Sequence, residues 1–351
     1  MSPQIMTVLG PVDSSLIGHT QPHEHLLCDL SSASLGVQPP REELSATARS
    51  RMQTPITLEN RYEIRKTILH NENLQLTDEI TIADELTDYR SAGGSAIVDA
   101  TPIGLGRDPE GLARLSRRSG VHIVMGAGYY SKGFHTPFVA AAAEDEITRR
   151  IVEDIVIGAD GTRVKSGVIG EIGLGWPTDP DELKVLRAAS RAQMQTGTPL
   201  LIHPGGSANA PATAVTESMT VGVRPDRIVM AHLDARFFEE RSFLDFAELG
   251  TYLELDLFGR ESSHSSMAAD PRWPNDARRL YYVRKLIEAG HIERILISQD
   301  TAQKSDLRRF GGPGYGHIIK NVVPLMVRLG FSYEEIECIT IENPRRALSI
   351  P

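Results

Sequence analysis

"GVIGEIGLG", residues 167–175, is the run from which the fold can first be inferred. Its residues are apolar or glycine apart from one acid, Glu171, and apolar and polar positions do not alternate. Continuous hydrophobicity of this kind is typical of a strand buried on both faces, as in a parallel sheet covered by helices. The run therefore predicts an α/β protein with a carboxylate near the end of a central strand.

Seven further runs of the same character recur along the chain, each bounded by Gly, Pro or a polar cluster. Eight strands separated by helical segments in 351 residues predict a (β/α)8 TIM barrel in a single domain, residues 1–351. An open doubly wound sheet is the alternative, but no G-x-G-x-x-G follows the first strand. The seven runs are "LIGHTQPHEH" (16–25), "SAIVDATP" (95–102), "VHIVMGAGYY" (121–130), "PLLIHPGG" (199–206), "RIVMAHLD" (227–234), "TYLELDLFG" (251–259) and "RILISQD" (294–300).

Helix boundaries can be predicted between these runs. Asp179 is predicted to cap a helix that has Pro180 in its first turn, Glu182 in a capping box and Gly197 at its end. A second capping box pairs Ser332 with Glu335. Pro344 marks where that last helix should end or bend.

The composition restricts the classes of partner. The chain is 40% apolar and 24% charged, as in ordinary soluble proteins, and its formal charge of -9 includes no Lys/Arg-rich run that would favour nucleic acid or an anionic membrane. No apolar run approaches the roughly 20 residues of a membrane-spanning helix. The amino terminus resembles no signal peptide, and only Cys28 and Cys338 are present, so we expect a cytoplasmic protein with a small-molecule partner.

Six side chains that bind metals well are predicted to lie at the carboxyl ends of five strands. Residues i and i+2 of a strand face the same side, so the two histidines of "HEH" point together. A group of buried imidazoles and carboxylates without partners would cost several kcal/mol for each member, which favours a metal site. The six are His23, His25, Glu171, His203, His232 and Asp300.

Six ligands are too many for one tetrahedral ion and suit two divalent ions. The histidines of the first strand, with Asp300, are expected to hold one ion, and the histidines of the fifth and sixth strands the other. Glu171 is expected to bridge them. Imidazole with carboxylate selects zinc, manganese, cobalt or iron over magnesium or calcium, and we expect zinc.

The remaining seven histidines do not share this placement and are expected to be structural or solvent-exposed. Because His264 and His317 lie in or beside long β-to-α loops, a substrate contact is the alternative for these two. The seven are His19, His70, His122, His135, His264, His291 and His317.

The ordered motifs "HEH", "IGEIG", "LIHPG", "MAHLD" and "ISQD" resemble those of the phosphotriesterase branch of the amidohydrolase superfamily. "GVHIVMGAGYY", "GADGT", "YLELDLFG" and "GGPGYGHI" are closer still to the phosphotriesterase-related proteins. Phosphotriesterases bridge their metals with a carboxylated lysine on the fourth strand. Here that strand offers Glu171, and Lys165 precedes the strand.

The resemblance implies an amidohydrolase-like barrel with a binuclear metal centre that cleaves N-acetyltaurine or related N-acyl taurines through a metal-bridging hydroxide. Asp300 is expected to be the catalytic residue that carries the proton to the leaving amine. A lactonase or phosphotriesterase is the first alternative, and a non-catalytic metal-containing binding protein is the second. A homodimer is expected by analogy.

An anionic substrate needs cations at the mouth of the barrel. The loop after the eighth strand supplies Lys304, Arg308 and Arg309, and Lys304 is the first choice because it is only four residues beyond Asp300. The alternative for the two arginines is a solvated basic turn.

Three tyrosines and one loop are further candidates for substrate contacts. Tyr129, Tyr130 and Tyr315 are expected to line the pocket or, alternatively, to pack against the barrel. Arg260 and Trp273 belong to the long loop after the seventh strand, which is a candidate lid. Cys28 is expected to be a buried free thiol.

Overall fold

A computed structural model describes residues 3–31, 45–65, 72–261 and 272–350. Eight of its strands pair side by side in parallel, in the order β12, β11, β10, β9, β8, β7, β6, β3. Their bounds are β3 His19–Glu24, β6 Gly94–Asp99, β7 His122–Ala127, β8 Val168–Gly173, β9 Leu200–His203, β10 Ile228–Met230, β11 Tyr252–Leu255 and β12 Ile295–Ile297. The other four strands form two antiparallel pairs, β1 Gln4–Thr7 with β2 Gly10–Asp13 and β4 Cys28–Asp29 with β5 Gln75–Leu76.

The first and last strands of the sheet approach each other at their carboxyl ends. The backbone N–H of Asp300 donates to the carbonyl of His23 at 3.1 Å, and the N–H of His25 donates to the carbonyl of Thr301 at 3.0 Å. The sheet is therefore a nearly closed barrel, and the predicted (β/α)8 TIM fold is confirmed.

Helices follow the barrel strands, as the alternating pattern of the sequence predicts. The α-helices are α1 Ala46–Arg51, α2 Arg61–Ile64, α3 Glu79–Ser91, α4 Pro109–Ser119, α5 Pro137–Ala141, α6 Glu144–Val156, α7 Pro180–Thr196, α8 Ala210–Val221, α9 Glu240–Ala247, α10 Asp276–Glu288, α11 Val323–Arg328, α12 Tyr333–Glu337 and α13 Asn343–Leu348. In the described ranges, none of the helices combines the length and the apolarity required to cross a bilayer.

The predicted helix boundaries are confirmed at α7. The Asp179 side chain accepts from the N–H of Asp181, Glu182 completes the capping box, and Gly197 ends the helix with a left-handed φ of 71°. The capping box of Ser332 and Glu335 also begins α12.

The last helical segment does not end at Pro344. A π-helical turn, Cys338–Glu342, joins α12 to α13, and Pro344 lies in the first turn of α13. Wider turns of this kind accommodate a residue that lacks an N–H, so the chain stays helical to Leu348.

The interior of the barrel is filled by apolar side chains below the candidate site. One residue from each of several neighbouring strands contributes, including Val98, Val124, Leu201 and Leu296, all at most 1% exposed. Larger apolar clusters pack the outer face of the sheet against the helices. Because the strands are parallel, their carboxyl ends meet at one face, and the polar side chains at those ends lie above this apolar layer.

Candidate metal centre

The Glu171 carboxylate lies at the centre of the predicted ligand set. Its Oε1 is 3.2 Å from Nε2 of His25. Its Oε2 is 3.0 Å from Nδ1 of His203, 3.5 Å from Nε2 of His232 and 3.6 Å from Nε2 of His23. One carboxylate thus faces four imidazoles from three strands, a placement suited to a bridging ligand.

The remaining candidate ligand, Asp300, faces the two histidines at the carboxyl end of the first barrel strand. Its Oδ1 is 3.4 Å from Nε2 of His25 and 3.9 Å from Nε2 of His23. On the other side of Glu171, Nδ1 of His203 and Nε2 of His232 are 2.7 Å apart. The structure therefore brings all six predicted residues together, in the two groups expected from the strand order.

Two of these residues adopt a left-handed backbone conformation. His232 has φ 56° and Asp300 has φ 49°, and both lie just beyond the end of a strand. Such a conformation costs a non-glycine residue about 1–3 kcal/mol and persists only where its surroundings fix it. The N–H of His232 donates to Oδ2 of Asp256 at 2.9 Å, which holds the first of these turns.

Sequence analysis missed two buried carboxylates, Glu254 on β11 and Asp256 directly after its end. Oε2 of Glu254 is 3.1 Å from Nδ1 of His23, and Oδ1 of Asp256 is 2.8 Å from Nδ1 of His232. Oδ2 of Asp256 is also 3.3 Å from Nδ1 of His23. A signal was present, because the two acids have the i, i+2 spacing of His23 and His25 within an apolar run, and both therefore face one side of the strand.

These carboxylates fix which ring nitrogen carries the proton. An ionised carboxylate only accepts, so His23 and His232 each carry a hydrogen on Nδ1, and loss of the other ring proton presents the Nε2 lone pair to the centre. Nδ1 of His25 lies 2.9 Å from Oγ1 of Thr101, which allows the same tautomer. Metal-ligating histidines are oriented in this way.

Burial and neighbouring charges shift the imidazole pKa values in opposite directions. Burial by itself lowers the pKa of His25, but its hydrogen bonds with Asp300 and Glu171 outweigh that effect and raise the pKa to about 10. The carboxylate of Asp256 similarly outweighs burial at His232 and raises its pKa to about 9. For His203, burial and the charge of His232 lower the pKa to about 4.

Arg260 contacts the candidate catalytic residue. Its guanidinium donates to the backbone carbonyl of Asp300, and Nη2 lies 3.2 Å from Oδ2 of the same residue. Burial raises the pKa of Asp300, but the Arg260 charge and the His25 hydrogen bond outweigh burial and hold that pKa below its usual value.

The candidate lid, the long loop after the seventh strand, begins near Arg260 and includes Trp273, which is buried. Much of the loop between them, residues 262–271, lies outside the described residues, so a lid function stays a prediction.

Only one of the three predicted pocket tyrosines contacts the imidazole of a candidate ligand. The hydroxyl of Tyr130 is 3.2 Å from Nδ1 of His203, and the two ring centroids are 4.9 Å apart. Tyr129 stacks on Phe138 in the layer between sheet and helices. The fully buried Tyr315 donates its hydroxyl hydrogen to the carbonyl of His25 at 2.7 Å. The described contacts thus favour the packing alternative for Tyr129 and a supporting role for Tyr315, which bonds to the backbone of His25.

Lys304 lies apart from the candidate ligands, and its role in substrate binding stays a prediction. Its Nζ lies 3.2 Å from Oε1 of Glu72, so its charge already has a carboxylate partner, and no described ligand residue contacts it. Arg308 pairs with Asp88. Lys304 and Arg308 are therefore engaged with acids of preceding elements.

The described histidines outside the ligand set have other partners or lie apart from it. His19 contacts the hydroxyl of Tyr89, and Nε2 of His317 lies 2.7 Å from Asp276. His135 and His291 contact Tyr130 and Glu248, respectively. His70 and His264 lie outside the described residues.

The Phosphotriesterase family matches residues 3–348. The chain belongs to the phosphotriesterase family. A curated relative of this phosphotriesterase-family chain, the human N-acetyltaurine hydrolase, is 40% identical over 351 residues. The match covers 99% of this chain and 99% of the relative. A metal-dependent hydrolase is the function class that the family and this relative support, and the sequence prediction of that class is confirmed.

Two solved structures resemble this phosphotriesterase-family barrel over most of their length. A resiniferatoxin-binding protein from Rhodobacter sphaeroides has a TM-score of 0.91 and 33% identity, covering 99% of this chain and 95% of that chain. A phosphotriesterase homology protein from Escherichia coli, complexed with phosphate in its active site, has a TM-score of 0.77 and 25% identity, covering 95% of this chain and 99% of that chain.

Two details of this phosphotriesterase-family chain agree with the sequence analysis. Lys165 lies before the start of β8, whereas Glu171 lies on that strand at the centre of the ligand set. A carboxylated lysine therefore has no counterpart among the described ligands. Cys28 is a buried free thiol, as predicted.

Proposed function

We propose that this chain hydrolyses the amide bond of N-acetyltaurine or a related N-acyl taurine at a centre of two divalent metal ions, with zinc as the first choice. The observation that carries the proposal is the 40% identity to the human N-acetyltaurine hydrolase over 99% of both chains. The convergence of six metal-binding side chains at the mouth of the barrel supports the metal-dependent part. A cytoplasmic location and a homodimer stay predictions.

The donor set fits metal ions. Nε2 of His23 is buried and has no hydrogen-bond partner, although it faces two carboxylates. His23, His25 and Asp300 can offer one ligand atom each within 4.8 Å of one another. These three residues would hold one ion, His203 and His232 would hold the other, and Glu171 would bridge the two.

When bound, such ions lower the pKa of water and polarise a carbonyl oxygen. The chain's own contribution is proton transfer at Asp300. One of its carboxylate oxygens faces the ligand set and the other faces Arg260, so the carboxylate is held in place as an acceptor. In the proposed reaction Asp300 accepts the proton of the attacking water and delivers it to the amide nitrogen, because an amine is a poor leaving group unless it is protonated.

The test is release of free taurine from N-acetyltaurine by protein reconstituted with zinc or manganese. A lactone and a neutral phosphotriester are run beside it under the same conditions. Selective release of taurine supports the proposal. Turnover of either neutral substrate without release of taurine overturns the substrate assignment and supports the lactonase or phosphotriesterase alternative.

A binding protein without turnover is the second candidate. The 33% identity to a protein described as resiniferatoxin-binding favours it. Binding of N-acetyltaurine to the metal-loaded protein, with no turnover of any of the three substrates, would decide for this candidate. A protein that keeps Asp300 aligned by Arg260 has the proton acceptor that hydrolysis needs, so we expect turnover.

A further inference from the structure

Arg236 is the cation beside the candidate metal centre whose charge has no carboxylate partner among the described residues. It directly follows the short turn Leu233–Ala235, which begins after His232. The corresponding charges of Arg260 and Lys304 are engaged by Asp300 and Glu72. Among these three cations, Arg236 is therefore the one without a carboxylate partner among the described residues.

The guanidinium of Arg236 reaches from one ligand loop to the next. Its Nε and Nη2 both donate to the carbonyl of Pro204, at 3.3 and 2.9 Å, and Pro204 directly follows His203. Its Nη1 donates to the carbonyl of Ala235 at 3.3 Å. The positive charge is thus held between the segments that carry His203 and His232.

These contacts leave part of the guanidinium available. Arginine has five N–H donors, and the three hydrogen bonds use three of them, so one N–H on each terminal nitrogen remains. Two N–H groups on neighbouring nitrogens match the geometry of an oxyanion with two free oxygens. The side chain is only partly buried, so a ligand can reach it.

The electrostatics agree with a positive charge that can attract an anion. Burial lowers the pKa of Arg236, and the acidic groups around it only partly offset that effect. Burial and the charges of Glu171 and Asp300 raise the pKa of the Tyr130 hydroxyl, and the charge of Arg236 opposes this rise. Arg236 is therefore close enough to act on the tyrosine that contacts His203.

We infer that Arg236 binds the sulfonate of the substrate. This inference rests on the proposed function and names the residue that would confer its specificity. In an N-acyl taurine only two carbon atoms separate the amide nitrogen from the sulfonate, so the anion must bind close to the metal ligands. Arg236 lies at the loops of two of those ligands, whereas Lys304 is turned to Glu72.

The test compares N-acetyltaurine with N-propylacetamide, which replaces the sulfonate with a methyl group. Loss of a paired hydrogen bond to a charged group corresponds to roughly a 10- to 100-fold change. We expect Arg236→Gln to raise KM for N-acetyltaurine by about that factor. We expect kcat/KM for N-propylacetamide to change less than about threefold, and inhibition of its hydrolysis by ethanesulfonate to weaken in parallel.

The matched control is Arg241→Gln, which removes an exposed arginine paired with Asp245 on α9. It should change none of these values. If Arg236→Gln does not fold, Arg236→Lys carries the test, because lysine keeps the charge but cannot form the paired contact. We expect that variant to raise KM for N-acetyltaurine alone, by about 3- to 10-fold.

An equal loss of activity on both substrates would show that Arg236 only braces the two loops, and an unchanged KM would show that the sulfonate binds elsewhere. Either result overturns the inference while leaving the proposed function intact. A wild-type protein that hydrolyses neither N-acyl substrate overturns the proposed function and the inference with it.

Discussion

The carboxylate of Asp256 contacts His232 twice, through its backbone N–H at 2.9 Å and through Nδ1 of its ring at 2.8 Å. One acid directly after β11 thereby fixes both the left-handed turn and the ring orientation of a candidate ligand that follows the neighbouring strand, β10. The same carboxylate also reaches Nδ1 of His23. Asp256 thus positions one candidate ligand of each predicted ion, His23 for the first and His232 for the second.

Asp256→Asn should weaken metal binding. An amide can present a donor to the ring and cannot hold both histidines in the required tautomer, and loss of such an outer partner typically costs 10- to 100-fold in metal affinity. Chelator competition measures the dissociation constant of each ion. Glu254→Gln should have a smaller effect, because that carboxylate contacts only one of the two imidazoles. Equal affinities for wild type and Asp256→Asn would contradict the positioning role.

Asp300→Asn should lose nearly all turnover, by roughly 10²- to 10⁴-fold, while the metals remain largely bound. The amide oxygen can still face His25 but cannot accept the proton. Steady-state kinetics and elemental analysis of the bound metal measure the two effects separately. The exposed Asp245 offers a matched control, since Asp245→Asn makes the same chemical change on the surface of α9. Full activity in Asp300→Asn would show that another group carries the proton.

Removal of the metal should lower thermal stability. Without ions, the lone pairs of the buried ligand nitrogens and oxygens lose their partner. An ion present at 100 times its dissociation constant stabilises the native state by about 2.7 kcal/mol. For a chain of this size we expect a chelator to lower Tm by about 5 °C or more. Differential scanning calorimetry measures the shift. Zinc should restore Tm and magnesium should not, because the site combines imidazole with carboxylate. An unchanged Tm after complete removal of metal would argue against ion binding at this buried cluster.

The two tyrosines near the ligands should respond differently to loss of the hydroxyl. Tyr315→Phe leaves the buried carbonyl of His25 without its donor and should cost about 1–2 kcal/mol of unfolding free energy. Tyr130→Phe should affect kinetics more than stability, since its hydroxyl faces His203 at the open side of the centre. Denaturant titration and steady-state kinetics separate the two quantities. Tyr333→Phe, at a 76% exposed position on α12, is the control. A larger stability loss in Tyr130→Phe than in Tyr315→Phe would reverse this assignment.

The sequence by itself determined the order of strands and helices, the capping of α7 and the identity of the six clustered side chains. These features are local or follow from strand order, because periodicity and capping depend on neighbouring residues and parallel strands bring their carboxyl ends to one face. The spacing of Glu254 and Asp256 carried the same kind of information as that of His23 and His25, and would have identified the acids behind the histidines.

Only the tertiary structure decided which polar groups are already paired. Lys304 was a reasonable candidate from its distance along the chain to Asp300, but its partner Glu72 is 232 positions away in sequence. Tyr315 bonds to His25 across 290 positions, and Arg236 to Pro204 across 32. Whether a charge or a hydroxyl remains available to a substrate depends on contacts between elements distant in sequence, and local patterns carry no information about those contacts.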